Sequence, residues 1–435
     1  MNLRVRPVRR LAGEAEVPAD KSISHRAALL GALADGPTEI TGYLEAEDCL
    51  RTITAVQMLG ADVTKKGPGQ YRIAGTGLRS LNEPSDVVDC GNSGTLARLL
   101  LGVLAGQPFW TMVTGDASLR SRPMARVSEP LRAMGATIVG RHDGGRLPLA
   151  VRGAERPRAL TYATPVASAQ IKSALLLAGL AADGPVSVTE PAPSRDHSER
   201  MLRLFGARLA VHGTTVTLEP GPLRGATVHV PGDLSSAAFL LVAGAIVKEA
   251  HLTVARVGVN PTRTGLLDVL AAMGADLTCV AERAQGEPTA SLTVRGSSLR
   301  STVIAGPLIP RLIDELPVLA VAALVAHGVS EIRDAAELRL KESDRIAVIA
   351  RELDKLGARV EERPDGMVIR GPQRLRGARV TSGGDHRMAM ALAVAALVAE
   401  GETVIEDTAC VGTSFPAFAA TLNALAGGEA ITEEA

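Results

Sequence analysis

The chain has 435 residues, of which 46% are hydrophobic but only 2% aromatic, and its 47 Lys and Arg residues balance 47 Asp and Glu residues. One hydrophobic core rarely supports this length, so we expect two domains. The balanced charge and the scarcity of aromatic stacking residues argue against nucleic acid as a main partner.

The first ten residues are positively charged, but no apolar stretch follows them. We therefore predict no secretory signal and a cytoplasmic location. The long apolar runs 316–326 and 388–399 hold about a dozen residues, whereas a membrane span needs roughly 20. They predict buried helices and no membrane partner.

An amphipathic stretch that closes on a glycine, before an apolar strand, recurs about every 70 residues along the chain. The spacing predicts repeated units that each hold two helices and several strands. Glycine suits the end of a helix because it adopts the left-handed backbone that closes the last turn. The repeat-marking glycines are Gly60, Gly135, Gly206, Gly274, Gly357 and, in a weaker copy, Gly427.

A second pattern, out of phase with the first, is a polar residue followed by a nearly wholly apolar helix. Such helices must be buried, and Asp, Asn and Ser are good N-cap residues. The six starts are Asp20, Asn92, Ser168, Asp233, Asp314 and Asp385. We therefore predict an α/β (α+β) protein of six units, with three in domain 21–232 and three in a domain formed by 1–20 and 233–435.

Polar and charged side chains gather at these helix starts, which plain packing does not explain. Free N–H groups and the helix dipole favour phosphate or carboxylate at such places. The sequence therefore predicts an anion-binding cleft between the two domains. The side chains concerned are Lys21, Ser22, Arg26, Asn92, Thr95, Arg98, Gln170, Lys172, His386 and Arg387.

Two acidic residues are candidates for acid and base roles. Asp314 opens an apolar helix, and Glu342 stands between Lys341 and Arg345. Helix capping by Asp314 and an ordinary ion pair at Glu342 are equally compatible with the spacing. The chain carries neither a known nucleotide phosphate loop nor metal-ligand spacing of His or Cys, so we predict no nucleotide and no metal.

Six motifs together resemble the 5-enolpyruvylshikimate-3-phosphate (EPSP) synthase family. The resemblance covers nearly the whole chain, and the motifs stand in the family's order. They are residues 20–26 (DKSISHR), 91–95 (GNSGT), 122–124 (RPM), 168–170 (SAQ), 341–345 (KESDR) and 385–390 (DHRMAM).

The resemblance implies two domains of inverse α/β fold, each with pseudo-threefold symmetry and built of βαβαββ-type units. It also implies a monomer that transfers the enolpyruvyl group of phosphoenolpyruvate to the 5-hydroxyl of shikimate 3-phosphate, releasing inorganic phosphate, without a cofactor. This step belongs to the shikimate pathway of aromatic amino-acid biosynthesis. Closure of the domains around the two substrates would exclude water.

The family's binding residues carry over to matching positions. Asp314 would take the 5-hydroxyl proton, and Glu342 with Lys21 would protonate the methylene carbon of phosphoenolpyruvate. The residues implied for shikimate 3-phosphate are Lys21, Ser22, Arg26, Ser168, Ala169, Gln170, Arg195, Asp314 and Lys341. The residues implied for phosphoenolpyruvate are Lys21, Gly94, Arg122, Gln170, Arg345 and Arg387.

The chain departs from the family pattern at 411–416 (VGTSFP), where many members carry a late lysine that contacts phosphate. Segments 168–172, 195–199 and 260–263 resemble the second subclass of the family, whose members are often poorly inhibited by glyphosate. Gly94, however, keeps the small residue that this inhibitor usually needs. These signs leave glyphosate sensitivity open.

The sequence is also compared with three alternative functions. The sister enzyme that transfers enolpyruvyl to UDP-N-acetylglucosamine uses a loop cysteine as its acid, and Ala117 stands at the matching place. An RNA-end-processing enzyme is disfavoured by the neutral charge. A noncatalytic repeat scaffold would not need cations and carboxylates at buried helix starts.

Overall fold

The structure is a computed structural model that describes residues 1–282 and 286–434. The chain divides into two compact units. The N-terminal unit comprises Ala19–Val230, and the C-terminal unit combines Met1–Pro18 with Pro231–Ala435. Within the described residues, no helix is both long and apolar enough to cross a bilayer.

The helices alternate with the strands along most of the chain. In chain order they are α1 (Lys21–Leu33), α2 (Glu47–Met58), α3 (Gly94–Leu104), α4 (Ala117–Ser121), α5 (Ala125–Ala133), α6 (Arg141–Gly144, a single turn), α7 (Ala169–Gly179), α8 (His197–Leu204), α9 (Leu234–Ile246), α10 (Gly265–Ala272), α11 (Ile309–Leu312), α12 (Leu316–Val325), α13 (Arg345–Lys355), α14 (His386–Ala396) and α15 (Phe418–Ala426). Short 3-10 helices lie at Gly306–Leu308, Ala336–Leu340 and Thr408–Thr413.

The strands are short. In chain order they are β1 (Asn2–Val5), β2 (Arg10–Glu16), β3 (Ala34–Thr41), β4 (Asp62–Gly67), β5 (Gln70–Thr76), β6 (Val88–Asp89), β7 (Trp110–Thr114), β8 (Thr137–Gly140), β9 (Arg146–Arg152), β10 (Leu160–Ala163), β11 (Val186–Thr189), β12 (Leu209–His212), β13 (Thr215–Leu218), β14 (Leu223–Arg224), β15 (Thr227–His229), β16 (Glu249–Gly258), β17 (Asp276–Glu282), β18 (Thr289–Arg295), β19 (Val303–Ile304), β20 (Gly328–Ile332), β21 (Val360–Arg363), β22 (Gly366–Gly371), β23 (Arg379–Thr381), β24 (Thr403–Glu406) and β25 (Ile431–Glu434).

The sheets of both units share one connectivity. In the N-terminal unit the strand orders are β14-β3-β5-β4, with β15 also on β3, then β6-β7-β9-β8 and β10-β11-β13-β12. In the C-terminal unit they are β17-β18-β16-β2, β19-β20-β22-β21 and β23-β24-β1-β25. Each sheet has a parallel pair at one edge and antiparallel pairs beside it. The copy β6-α3-β7-α5-β8-β9, with the short α4 before α5 and the single turn α6 between β8 and β9, shows the predicted βαβαββ order.

One sheet of each unit is completed by a strand from a distant part of the chain. Leu223 of β14 pairs with Ala34 of β3, and Leu3 of β1 pairs with Ile405 of β24. In the C-terminal unit β2 also joins β16, with Leu11 beside Ala250. These pairings place strands from the two ends of each unit in the same sheet.

The six predicted apolar helices are α1, α3, α7, α9, α12 and α14, and nearly all of their residues are buried. Each unit has its own core, which is built largely of Ala, Leu, Val and Ile. The amphipathic helices α2, α5, α8, α10, α13 and α15 end at the repeat-marking glycines. All six glycines have positive φ, between 67° at Gly427 and 105° at Gly135, which confirms the predicted left-handed closure.

Candidate functional site

The start of α1 presents Lys21 at its first position. The Asp20 carboxylate caps the helix by accepting from the Ile23 N–H at 2.9 Å. The Lys21 ammonium lies 2.5 Å from Oδ2 of Asp48, a buried carboxylate in the first turn of α2. A cation is therefore fixed at a helix N-terminus, where the dipole already favours an anionic ligand.

His25 joins α1 to two neighbouring helices. Its Nδ1 lies 2.6 Å from the Thr52 hydroxyl on α2, and its Nε2 lies 3.3 Å from the hydroxyl of Ser93, which precedes α3. Burial, and to a smaller extent the charges of Lys21 and Arg26, lowers the pKa of His25 well below its ordinary value. The imidazole is therefore neutral at physiological pH, and its two hydrogen bonds connect α1 with α2 and with the start of α3.

Arg26 braces the N-terminal unit from within. Its Nε donates to the Ser198 hydroxyl at 2.7 Å, its Nη2 to the Ser173 hydroxyl at 2.8 Å and its Nη1 to the Ser22 carbonyl at 2.9 Å. The guanidinium thus ties α1 to α7 and α8, and the side chain is buried.

The start of α3 differs from the expectation in its capping residue. Asn92 is the polar residue predicted to open this helix, but Ser93 is the N-cap and accepts from the Leu96 N–H at 3.2 Å. The Asn92 side chain is engaged elsewhere, since its Nδ2 donates to Asp116 at 2.6 Å and its Oδ1 accepts from Arg122 at 2.5 Å. The cap is therefore one residue later than predicted, and Asn92 instead holds the segment around α4 through Asp116 and Arg122.

Gly94 is the first residue of α3 and stands against two guanidinium groups. A Cβ added here would lie 2.8 Å from Nη1 of Arg98 and 3.3 Å from Nη1 of Arg122. Arg122 is itself held by the Asn92 carbonyl at 3.2 Å and the Ser118 hydroxyl at 3.0 Å. The absence of a side chain at Gly94 lets both cations approach the helix start.

Gln170, in the first turn of α7, is held by α3. Its Oε1 accepts from Nη1 of Arg98 at 2.7 Å, and its Nε2 donates to the Thr95 hydroxyl at 3.1 Å. Because a guanidinium has only donors, this contact fixes which end of the amide faces Arg98. Arg98 also donates to the Pro123 carbonyl at 3.1 Å, so it connects three of the predicted binding segments.

Ser168 and Ala169 begin α7, with Ser168 as the N-cap. The Ser168 N–H donates to Oε1 of Glu190 at 2.8 Å, and Lys172 lies 2.7 Å from both Glu190 and Glu199. Burial would lower the pKa of Lys172, but Glu199 and Glu190 outweigh it and raise the pKa above its ordinary value. A buried charged network therefore sets the position of this helix start.

Arg195, one of the residues implied for shikimate 3-phosphate, lies partly buried just before α8. Its neighbour Ser194 donates to Oε2 of Glu190 at 2.9 Å. The loop that carries Arg195 is thus attached to the same carboxylate that orients Ser168.

In the C-terminal unit, Asp314 was expected as the polar start of an apolar helix, but it does not cap α12. Glu315 is the residue next to the helix, without a side-chain cap bond, and Pro317 in the first turn has no N–H to offer. The Asp314 Oδ1 instead lies 3.2 Å from Nη1 of Arg345 and 3.4 Å from Nζ of Lys341. The ion pairs with Arg345 and Lys341, and not helix capping, therefore orient the Asp314 side chain.

Arg345 is fully buried and binds three carboxylates. Its Nε lies 2.8 Å from Oδ2 of Asp385, and its Nη2 lies 2.7 Å from Oε2 of Glu342, in addition to the Asp314 contact. Burial would lower the pKa of Arg345, but Asp385, Glu342 and Asp314 raise it above its ordinary value. For Asp385, burial would raise the pKa, and Arg345 lowers it below the ordinary value.

Arg387 completes this cluster from the first turn of α14. Its Nη1 donates to the Asp314 carbonyl at 3.4 Å, and its Nε lies 4.0 Å from the Asp314 carboxylate. The structure therefore brings five predicted residues into one group in the C-terminal unit. They are Asp314, Lys341, Glu342, Arg345 and Arg387.

Several residues that hold these groups had no predicted role in the site. Asp385 carried a signal, because it opens the DHRMAM motif as a good N-cap residue, and it accepts from the Arg387 N–H at 2.9 Å. Asp48 and Glu190 carried no such signal, since they lie outside the six motifs. Only the tertiary fold brings them to Lys21 and Ser168.

Two compact units are built from copies of one βαβαββ order, with cations and carboxylates at the starts of buried helices. They define an α/β protein whose charged helix starts suit anionic ligands. The model of the EPSP synthase (3-phosphoshikimate 1-carboxyvinyltransferase) family matches residues 5–422, and the chain belongs to this family.

Curated relatives and solved structures agree with this assignment. The 3-phosphoshikimate 1-carboxyvinyltransferase of Desulforudis audaxviator is 56% identical, with 98% of this chain and 99% of the relative covered. That of Gloeobacter violaceus is 58% identical over 95% of this chain and 96% of the relative. EPSP synthase from Acinetobacter baumannii is 41% identical in one solved structure, with a TM-score of 0.87 and 99% of both chains covered. The predicted family, fold class and enzyme class are confirmed.

Proposed function

We propose that this chain transfers the enolpyruvyl group of phosphoenolpyruvate to the 5-hydroxyl of shikimate 3-phosphate and releases inorganic phosphate. The observation that carries the proposal is the Arg345 cluster. One buried guanidinium holds Asp314 at 3.2 Å and Glu342 at 2.7 Å, and these are the two carboxylates that the reaction would need. Family membership supplies the reaction class.

Shikimate 3-phosphate carries a carboxylate, a phosphate and free hydroxyl groups on a cyclohexene ring, so it needs cations and hydrogen-bonding partners. In the N-terminal unit we assign it Lys21, Ser22, Arg26, Ser168, Ala169, Gln170 and Arg195. In the C-terminal unit we assign it Asp314 and Lys341, whose Nζ lies 3.4 Å from the Asp314 carboxylate. The starts of α1 and α7 supply N–H groups that favour an anion.

Phosphoenolpyruvate carries a carboxylate and a phosphate, so several cations are needed to bind it. We assign it Lys21, Gly94, Arg122 and Gln170 in the N-terminal unit, together with Arg345 and Arg387 in the C-terminal unit. The close approach of Arg122 to Gly94 supports this assignment, because a side chain at position 94 would occupy the space beside that guanidinium.

The chemistry proceeds by addition and elimination. Glu342, with Lys21, gives a proton to C3 of phosphoenolpyruvate, while the 5-hydroxyl oxygen attacks C2 and its proton passes to Asp314. The product of this step is a tetrahedral intermediate. Glu342 takes a proton back from the new methyl group, which restores the double bond as the C2–O bond to phosphate breaks. The proton held by Asp314 leaves with the phosphate, so both carboxyl groups return to their starting states, and no cofactor takes part.

The test is release of inorganic phosphate by the purified protein. We expect release with phosphoenolpyruvate plus shikimate 3-phosphate, and none with phosphoenolpyruvate plus UDP-N-acetylglucosamine. Release with the second pair alone would move the function to the sister reaction, although Ala117 lacks the thiol that reaction uses. Silence with both pairs, in protein shown to be folded by circular dichroism, would refute the proposed activity.

A further inference from the structure

Glu315 follows Asp314 directly and is a buried carboxylate without an assigned task. The residue is 1% exposed, and its Oε1 accepts from the Ser235 hydroxyl on α9. Its Oε2 has no hydrogen-bond partner among the described residues. Burying a charged group is costly unless neighbouring groups compensate it. Since Glu315 does not cap α12 with its side chain, its direction toward α9 needs another explanation.

Ser235 connects Glu315 to a buried cation. Nη2 of Arg263 lies 2.5 Å from the Ser235 hydroxyl oxygen and 3.0 Å from Oδ1 of Asp233, the N-cap of α9. A guanidinium can only donate, so the Ser235 oxygen accepts from Arg263 and its own proton points to Glu315. Arg263 therefore donates directly to Asp233 and, through the Ser235 hydroxyl, is connected to the Glu315 carboxylate.

This chain holds the backbone that carries Asp314. On one side the Glu315 side chain is fixed to α9. On the other side Arg387 donates to the Asp314 carbonyl at 3.4 Å, and Arg345 donates to its carboxylate at 3.2 Å. Because Asp314 and Glu315 share a peptide bond, a displacement of Glu315 moves Asp314 as well. Each of these contacts lies within the C-terminal unit.

We propose that Ser235, acting through Glu315, is a positioning residue for Asp314 in the transfer reaction. The inference rests on the proposed function, in which Asp314 takes the proton of the attacking hydroxyl. Ser235 does not touch the reacting atoms in this account. Its role is to keep the Asp314 carboxylate in place, and a shift of about 1 Å in a reacting group costs up to about 100-fold in rate.

The central experiment compares S235A, S235T and S236A in steady-state phosphate release, with the affinity for shikimate 3-phosphate measured separately. We expect S235A to lower kcat about 10-fold to 100-fold while the affinity changes less than about threefold. S235T keeps a hydroxyl and should recover most of kcat. S236A removes the neighbouring hydroxyl on the same helix and should leave kcat unchanged.

A second set of variants tests the path through Glu315. E315A should lower kcat as S235A does, and the double variant S235A/E315A should be no slower than the slower single variant, because both break one chain. E315Q keeps an oxygen that accepts from Ser235 and should retain most of kcat. If S235A does not fold, E315A and E315Q carry the test, and equal losses in these two would overturn the proposal.

Two further results would overturn the inference while leaving the proposed function intact. One is an active wild-type protein whose S235A variant loses thermal stability but keeps kcat. The other is a double variant whose losses multiply. An inactive but folded wild-type protein is a different outcome, since it refutes the proposed function and removes the premise of the inference with it.

Discussion

Nε of Arg345 lies 2.8 Å from Oδ2 of Asp385, and both side chains are almost completely removed from solvent. Asp385 also accepts from the Ser343 hydroxyl at 3.0 Å and caps α14 through the Arg387 N–H. A buried ion pair is costly to form but far more costly to break on one side. The pair therefore fixes Arg345 as the common partner of Asp314 and Glu342.

Replacing Asp385 with Ala should destabilise the protein by about 3–5 kcal/mol, because it leaves Arg345 buried with less compensating charge and removes a helix cap. Urea denaturation followed by circular dichroism measures the change. D385N, which keeps an acceptor for the cap, should lose less. D276N removes one partner of the exposed pair with Arg295 and should have little effect. A D385A protein as stable as D276N would contradict this account.

Replacing Asp314 with Asn should lower kcat by about 100-fold or more, the usual contribution of a positioned general base. The affinity for shikimate 3-phosphate, measured by calorimetry, should fall far less, since the amide keeps the shape of the side chain. D354N, an exposed carboxylate on α13, is the control. Equal losses in turnover and affinity would rule out Asp314 as the base.

Replacing Gly94 with Ala should weaken phosphoenolpyruvate binding by about 1–3 kcal/mol, because the new Cβ lies 2.8 Å from Arg98 and 3.3 Å from Arg122 and displaces them. The Michaelis constant for phosphoenolpyruvate reports this change. G221A places its Cβ in open space and is the matched control. An unchanged constant for G94A would show that neither guanidinium needs its present place to bind the substrate.

His25 makes stability depend on pH. Its pKa is lowered on folding, so its contribution is fully present above the unfolded pKa of about 6.5 and is lost as pH falls below that value, where the unfolded chain takes up the proton. The melting temperature of the wild type should therefore drop between pH 7.5 and pH 5.5. The drop should be smaller in H25N.

The exposed residue His251 provides the control for this comparison. H251N should show the same pH dependence of melting temperature as the wild type. If H25N and the wild type lose equal stability between the two pH values, the link from His25 to Thr52 and Ser93 does not depend on a neutral imidazole.

The local chain chemistry sufficed to predict the repeats, the six buried helices and the glycines that end the amphipathic helices. Each helix, and each glycine that ends one, depends on residues that lie close together in the sequence. A short segment is therefore enough to predict it, and the repeats appear when such segments recur. Gly60 and Gly357, for example, both adopt the positive φ that their place after a helix requires. The family could be predicted for the same reason, because each of the six motifs is a short run of residues.

Only the tertiary structure decided which partners the charged groups have. Lys21 meets Asp48, Ser168 meets Glu190 and Arg345 meets Asp385. The same holds for β1, which completes its sheet with a strand about 400 residues away. Local propensity sets the elements, but such contacts depend on how the elements pack, and the energy of a buried charge depends on the partner that packing provides.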